Sequence, residues 1–357
     1  MQLSDLIHAI TAPDETARQA AHARWAACAK PLGGLGLLET AVEDIAALVG
    51  TADLRLDQRA VCVLCADNGV VAQGISQAPS SVTAVVARNL AACTTPVCRM
   101  AQAAHCDVVP VDMGILDFSP VDGVLDRRIA NGTGDISLGP AMTKAQAEAA
   151  ILAGVSLVCQ LKAQGYVLLA AGEMGIGNTT TASALTAVLL DRSVEEMTGR
   201  GAGLSDAALD RKYQVIHQAI RCNRPDPADA LDVLAKLGGF DIAGMCGLFL
   251  GGAYYRIPIL IDGVISAAAA LCAQRLCPGS AKAMVASHVS SEPAGQALLE
   301  ALGKKPLISA GLHLGEGTGA VAAMPLLDMA LAVYHSAQTF DGCGIRAYES
   351  LGGQPCP

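Results

Sequence analysis

The chain has few aromatic residues and no excess of positive charge. Aromatic residues make up only 3% of the 357 positions while hydrophobic residues make up 52%, so Ala, Val, Leu and Ile must build the core. A chain this apolar can bury enough surface to fold, which excludes disorder. Single-stranded nucleic-acid binding needs stacking rings and basic grooves, which are scarce here. The net charge of −9 also disfavours duplex nucleic acid and anionic membranes as partners.

A long uninterrupted apolar run is also missing. The longest apolar region, 242–261, is broken by Arg256 and Pro258 and leaves 14 uncharged residues from Ile242 to Tyr255. A run of that length is typical of a buried core helix and too short for a membrane span. Acidic residues occur within the first fifteen positions, and no basic segment followed by an apolar stretch is present, so no secretory signal is visible. We therefore expect a cytoplasmic protein.

Cysteines are plentiful but carry no metal or disulfide pattern. There are 13, an odd number, and most lie inside apolar runs, as free buried cysteines do. The pair Cys62 and Cys65 has C-x-x-C spacing on a predicted strand, where the odd offset sends the two thiols to opposite faces. No second pair stands at zinc-finger spacing, so structural packing is favoured over metal ligation.

The pattern of apolar segments predicts an α/β fold. Ser4 and Asp14 are expected to cap helices in the first sixty residues, and the glycine-rich stretch 31–36 separates two of them. Short apolar strands then alternate with Ala-rich helices, which favours a doubly wound, mostly parallel Rossmann-like sheet with helices on both faces. The predicted strands are Ala60–Ala66, Asp107–Val111, Tyr166–Ala171, Ile257–Ile261, Lys282–Ala286 and Leu307–Gly311. Between the second and third of these, Phe118–Met142 is expected to be a long functional loop.

The chain ends are expected to form a smaller helical unit. Residues 1–60 would supply its N-terminal helices, residues 61–319 the α/β nucleotide- and acceptor-binding domain, and residues 320–357 a C-terminal helix that packs with the small domain. The length allows one large domain or two modest ones.

The segment Tyr166–Leu190 predicts an anion seat. It runs from an apolar strand through Gly175 and Gly177 into a helix that opens with Asn178 and Thr179. Ligands of open parallel sheets bind beyond the carboxyl ends of strands, and a helix N-terminus there offers free N–H groups and a positive dipole end. The turn matches neither the dinucleotide fingerprint nor the Walker loop, so nucleoside triphosphates are disfavoured. A plain strand-to-helix turn with a threonine cap is the alternative.

The segment Leu307–Ala323 repeats this construction and places Glu316 between Gly315 and Gly317. Two such turns at sheet ends suggest a shared site. A carboxylate in this partly apolar setting would have a raised pKa, suited to a general base. The alternative is that Glu316 caps the helix that follows. In the first turn Glu173 occupies the corresponding place.

A third glycine-rich turn lies at Thr198–Lys212. Gly201 and Gly203 expose main chain, and Ser205 is expected to cap a helix that presents Lys212. A lysine near an anion seat supplies a point charge for phosphate. The competing interpretation is a solvated helix on which Lys212 has no role.

Other enzyme classes lack their signatures here. The seven histidines include no i, i+4 pair of a metal motif, and no G-x-S-x-G nucleophile elbow occurs. Composition and spacing thus lead to an α/β enzyme that holds a singly phosphorylated anion and owns a carboxylate base.

Seven motifs carry a resemblance to a known family. They are ADNGV at 66–70, GTGD with PAM at 132–135 and 140–142, GEMGIGNTT at 172–180, GGFDIAGM at 238–245, DGVISAAAAL at 262–271, SHVSSEP at 287–293 and GEGTGA at 315–320. With these the chain resembles the nicotinate-nucleotide:dimethylbenzimidazole phosphoribosyltransferase family over nearly its whole length.

This resemblance implies transfer of phosphoribose from nicotinate mononucleotide to an aromatic acceptor for cobalamin-type cofactors, with neither a metal nor a cofactor. Glu316 matches the family's catalytic base. Nucleotide-lining positions are matched by Glu173, Gly175, Gly201, Lys212, Ser291 and Leu314. The resemblance also implies a dimer, whose second subunit could be identical or a paralogue. The alternative function is a weakly active, nucleotide-binding paralogue that serves as the partner subunit of an active enzyme.

Two positions depart from the family pattern. In the segment Ser80–Val85, which follows Pro79, Val85 stands in place of a family glutamine that would face the acceptor. Asn68 stands where relatives often have histidine. A pocket with fewer polar side chains rejects isosteres weakly. We therefore expect phenols or adenine to compete with dimethylbenzimidazole.

Overall fold

The structure, a computed structural model, describes residues 2–348. The last nine residues of the predicted segment 320–357 thus lie outside the described residues. Three α-helices precede the first strand, and strands and helices alternate after it. The strands are β1 Arg59–Ala66, β2 Asp107–Gly114, β3 Leu125–Asp126, β4 Leu168–Met174, β5 Ile259–Ile261 and β6 Met284–Ala286.

The helices surround these strands in chain order. They are α1 Leu3–Ala9, α2 Glu15–Ala27, α3 Leu37–Val49, α4 Ser81–Ala91, α5 Pro96–Ala103, α6 Lys144–Ala163, α7 Asn178–Leu190, α8 Val194–Met197, α9 Asp206–Asn223, α10 Ala230–Leu237, α11 Phe240–Tyr255, α12 Val264–Leu276, α13 Ala294–Ala301, α14 Thr318–Ser336 and α15 Phe340–Cys343. Two short 3₁₀ helices cover Gly69–Gln73 and Pro278–Ala283.

The sheet is parallel throughout, in the order β3-β2-β1-β4-β5-β6. The chain moves from β1 outward to β2 and β3, then returns to the other side of β1 with β4. Strand order therefore reverses between β1 and β4, and ligands of open α/β sheets bind beyond the carboxyl ends at such a point. The predicted doubly wound α/β fold is confirmed.

Both faces of the sheet are covered by apolar side chains. Cys62 and Leu64 of β1 belong to the core formed with α6, α11 and α12. Val63 and Cys65 belong to the opposite core, with α3, α5 and α14. The C-x-x-C thiols therefore point to opposite faces, as their spacing predicts. The apolar run 242–255 lies within the buried helix α11, also as predicted.

The helices of the two chain ends pack together. Trp25 of α2 contacts Tyr334 of α14 edge to face, with ring centroids 4.9 Å apart. A single antiparallel bridge joins Cys28 to Thr339. Because these helices share a core with one face of the sheet, the domain boundaries at 60/61 and 319/320 stay a prediction.

Two predictions about local structure are wrong. Ser4 lies inside α1, whose cap position is Gln2. The segment Leu307–Gly311 is no regular strand, because only Ile308 forms a bridge, with His288, and residues 309–311 are exposed. An exposed segment has no apolar face to hold further pairing in register. The long loop 118–142 also contains β3, whose two residues are too few to give a sequence pattern.

Among residues 2–348, one helix, α14, has the length and apolar composition that a membrane span would need. About half of its apolar window, 56%, is buried in the fold. Its side chains pack on the sheet and on the N-terminal helices, as those of a core helix do.

Candidate active site

A cavity of about 270 Å³ opens beyond the carboxyl ends of β4, β5 and β6. Its wall includes residues of both predicted glycine turns, here called the first turn (172–178) and the second turn (315–318). The predicted site residues in the wall are Glu173, Gly175, Gly177, Asn178, Thr179, Gly201, Leu314 and Glu316. The two turns thus face one cavity.

The first turn brings main chain close to its neighbours. A Cβ on Gly175 would lie 2.3 Å from the carbonyl oxygen of Ala66, so no side chain fits there. Gly177 precedes α7 with a φ of 94°, in the left-handed region that favours glycine. The N-terminus of α7, with Thr179, therefore lines the cavity as a place for an anion. Asn68 supports this turn through a hydrogen bond from its Nδ2 to the carbonyl oxygen of Ile176.

Lys212 lies behind this anion seat and is fully buried, which overturns the interpretation of a solvated helix face. Its Nζ donates to Thr179 Oγ1 and to the carbonyl oxygen of Gly199, both at 3.0 Å. Burial lowers the pKa of Lys212 to about 8, partly opposed by Glu292. A positive charge therefore stands directly behind the α7 N-terminus.

The second turn has three successive residues in the left-handed region. The φ angles are 88° at Gly315, 58° at Glu316 and 83° at Gly317. A non-glycine residue pays about 1–3 kcal/mol for a sparsely populated conformation, which persists only where the surroundings impose it. Here β4 imposes it, because a Cβ on Gly172 would lie 2.8 Å from the Glu316 carbonyl oxygen. The turn therefore holds Glu316 in one orientation above the switch point of the sheet.

Glu316 does not cap the helix that follows it. Its Oε2 accepts a hydrogen bond from the main-chain N–H of Val97, at the start of α5, at 3.3 Å. The following helix, α14, is capped by buried Asp262, which accepts from Gly317 N at 3.2 Å and Ala320 N at 3.0 Å. Burial raises the pKa of Glu316, opposed by hydrogen bonds from Val97 and Thr95.

Glu173 occupies a more enclosed position. Burial raises its pKa to about 8, and the nearby carboxylates of Asp241, Asp262 and Glu316 act in the same direction. Its Oε2 accepts a hydrogen bond from Asn178 Nδ2, which also donates to Asp241 Oδ2 at 2.9 Å. At neutral pH Glu173 therefore carries a proton.

The other predicted site residues lie outside this wall. The carbonyl oxygen of Gly203 accepts a hydrogen bond from Gln77. Ser80 precedes α4, and Val85 on that helix is 52% exposed. Ser291 is exposed, and its main-chain N–H donates to the carbonyl oxygen of Leu312.

Sequence reasoning missed several polar residues of the wall. Asp262 follows β5, while His288, Ser290 and Glu292 follow β6. Glu292 Oε1 accepts from Gly201 N at 3.0 Å and so ties the third glycine-rich turn to the β6 end. A usable signal existed, since each residue comes shortly after a predicted strand and polar groups at that edge converge. In residues 2–348 no group of three or more His, Cys, Asp or Glu side chains is arranged to hold a metal ion.

Comparison with known proteins agrees with this geometry. A family model described as Phosphoribosyltransferase, DBI_PRT, matches residues 10–345. The nicotinate-nucleotide–dimethylbenzimidazole phosphoribosyltransferase of Acetivibrio thermocellus is 47% identical over 320 residues, 90% of this chain and 91% of the relative. The enzyme of the same name from Ruminiclostridium cellulolyticum is 42% identical over 98% of this chain and all of the relative.

A solved structure extends the likeness to three dimensions. The crystal structure of CobT from Thermus thermophilus matches with a TM-score of 0.88 and 40% identity, over 93% of this chain and 99% of that chain. Sequence and fold lead to one conclusion: the chain belongs to this phosphoribosyltransferase family, together with the nicotinate-nucleotide–dimethylbenzimidazole enzymes.

Proposed function

We propose that this protein transfers the phosphoribosyl group of nicotinate mononucleotide to dimethylbenzimidazole or a related azole or phenol. The products are an α-ribotide phosphate and nicotinate, and the ribotide serves the biosynthesis of cobamides. The observation that carries the proposal is one cavity with an anion seat backed by Lys212 on one wall and Glu316 on another. The relatives' names supply the substrates.

The anion seat would bind the 5′-phosphate. The N-terminus of α7 and the Thr179 hydroxyl supply donors, and Lys212 supplies positive charge from behind. Preorganised donors of this kind bind the phosphate, and so position the attached ribose, without rearranging during the reaction. Gly175, which has no side chain, lies in the cavity wall beside this seat.

The chemical step breaks one bond and forms another at the anomeric carbon. The acceptor nitrogen, or the hydroxyl oxygen of a phenol, attacks C1′ while the bond from C1′ to the pyridinium nitrogen breaks, and that electron pair returns to the ring. The leaving group starts as a cation at its ring nitrogen and departs neutral there, so it needs no further activation. Glu316 takes the proton that the acceptor loses, as a general base whose pKa burial has raised.

Glu316 is better suited to this role than Glu173. The structure gives Glu316 two hydrogen-bond donors, from Thr95 and Val97 at the start of α5, which favour its ionised form. Glu173, with a pKa near 8, already holds a proton at neutral pH and cannot accept another there. With Glu316 and both turns in place, nothing favours the weakly active paralogue.

The broadened acceptor range is a proposal from the sequence departures at Val85 and Asn68, which both lie outside the cavity wall. Purified protein with nicotinate mononucleotide and equimolar dimethylbenzimidazole, adenine and a phenol should give more than one ribotide by chromatography. Exclusive use of dimethylbenzimidazole would refute a broadened range.

Turnover tests the function itself. We expect nicotinate release that requires both nicotinate mononucleotide and an aromatic acceptor, with one ribotide formed for each nicotinate released. Failure of release with every acceptor would refute the function. We further propose that the protein acts in the cytoplasm as a dimer, either of two identical subunits or of this chain with a paralogue. Light scattering on the purified chain measures the assembly state.

A further inference from the structure

His288 and Ser290 form a polar corner of the cavity that neither the phosphate seat nor the base uses. His288 follows β6 and is 3% exposed, and Ser290 is 8% exposed. A Cβ placed on Gly263 would lie 3.8 Å from His288 Nε2 and 4.0 Å from Ser290 Oγ. The two polar atoms therefore converge on one point of the wall.

The surroundings of His288 settle which nitrogen holds its proton. The Ser287 hydroxyl donates its hydrogen to the carbonyl oxygen of Ile261 at 2.5 Å, so toward Nδ1 of His288, 3.2 Å away, it acts as the acceptor. Asp262 Oδ1, 3.9 Å from Nδ1, places a carboxylate on the same side of the ring. Nδ1 therefore carries the hydrogen.

The other ring nitrogen faces the cavity as an acceptor. Burial lowers the pKa of His288 below its ordinary value, with Asp262 opposing, so the ring is neutral near pH 7. A neutral imidazole with a proton on Nδ1 has a lone pair on Nε2. Among residues 2–348 no group hydrogen-bonds to this Nε2, although its ring is almost wholly buried.

Ser290 supplies the opposite polarity. Its Oγ accepts a hydrogen bond from Glu292 N at 3.3 Å, which leaves the hydroxyl hydrogen free to donate. An acceptor and a donor at one point match a hydroxyl group, which both donates and accepts. They do not match a phosphate or carboxylate, because a lone pair on Nε2 repels an oxygen that has no hydrogen.

We propose that His288 and Ser290 form a subsite for a ribose hydroxyl of the nucleotide: the hydroxyl donates to His288 Nε2 and accepts from Ser290 Oγ. The assignment to ribose rests on the proposed function. It makes the pair a specificity determinant for ribonucleotides, since a deoxy analogue leaves both buried groups unpaired.

The test crosses variants with substrates. Wild type and His288→Phe are assayed with nicotinate mononucleotide and its 2′-deoxy and 3′-deoxy analogues, measuring kcat/KM and, by calorimetry, Kd. We expect the wild type to disfavour one deoxy analogue by about tenfold or more. His288→Phe should reduce that preference to less than about threefold, because the variant no longer offers the acceptor.

Further variants keep the test independent of one substitution. Ser290→Ala should also weaken the preference, and Ser280→Ala, a buried serine outside the cavity wall, should leave it unchanged. His288→Gln, which retains an acceptor, should restore part of the preference.

The outcomes separate the two proposals. Equal losses for all three nucleotides in His288→Phe and Ser290→Ala, or no wild-type preference, would overturn the subsite. Binding without turnover would overturn the function alone, because the Kd values still test the subsite. Failure of the wild type to bind any of the nucleotides would overturn both.

Discussion

The first and second turns share a sequence pattern and differ in what surrounds their glutamates. In the first turn Glu173 is enclosed, bonded to Asn178 and surrounded by other acids, so it keeps its proton to about pH 8. In the second turn Glu316 is half-buried and receives hydrogen bonds from the start of α5. The comparison teaches that burial and neighbours, more than the motif, decide which acid can act as a base. We propose on this basis that the first turn binds the nucleotide and that the second turn transfers the proton.

The largest effect is expected from the second turn. Glu316→Gln should lower kcat by roughly two to four decades, because the amide cannot take the acceptor's proton. Affinity for nicotinate mononucleotide should change little. Steady-state kinetics and calorimetry measure the two, and Glu148→Gln, an exposed glutamate elsewhere, is the matched control. A loss below tenfold would assign Glu316 to positioning.

The next effect is expected at the first turn. Lys212→Met should raise KM for nicotinate mononucleotide about 10- to 100-fold and change kcat less, because the phosphate loses the charge behind its seat. Initial rates over a range of nucleotide concentrations give both constants. Lys282→Met, an exposed lysine outside the cavity wall, is the control. A fall in kcat with unchanged KM would contradict the assignment of nucleotide binding to the first turn.

The cap of α14 offers a smaller, structural effect. Asp262→Asn should cost about 1–2 kcal/mol of unfolding free energy, because an amide cannot accept from both Gly317 N and Ala320 N. Denaturant unfolding measures the loss, with exposed Asp122→Asn as control. Equal stability of Asp262→Asn and wild type would show that another group caps the second turn.

A further stability effect, at Glu173, depends on pH. Above about 4.5 the unfolded chain has lost the Glu173 proton that the folded protein retains to about pH 8. The folded state binds more protons in this window, so wild-type stability falls as pH rises through it. Glu173→Gln has no proton to lose at this position. The difference between its Tm and the wild-type Tm should therefore rise from about pH 4.5 to 8 and stay constant above pH 8. A Tm difference independent of pH would mean that Glu173 ionises normally.

The sequence predicted the fold better than it predicted the site's electrostatics. Apolar runs such as 60–66 mark buried strands because a parallel sheet is covered on both faces. Leu307–Gly311 has a similar composition, yet it lies beyond β6, where its main-chain pairing ends at Ile308. Local sequence does not report which strand lies beside a segment.

The site residues divide in the same way. Glycines with positive φ and a helix start are local features, so both turns were predictable from 172–180 and 315–320. The burial of Lys212 and the capping by Asp262 depend on contacts between distant segments. The tautomer of His288 follows from Ile261, which is distant in sequence and accepts the Ser287 hydroxyl hydrogen.

We propose that the two turns bind one nucleotide from different sides and that the Glu316 carboxylate faces the acceptor. A crystal structure of the protein with nicotinate mononucleotide and a non-reactive benzimidazole analogue tests it most directly. We predict the phosphate at the N-terminus of α7 and the Glu316 carboxylate within about 3.2 Å of the acceptor's ring nitrogen. A phosphate bound elsewhere, or a Glu316 carboxylate still on Val97 and turned from the bound acceptor, would contradict it.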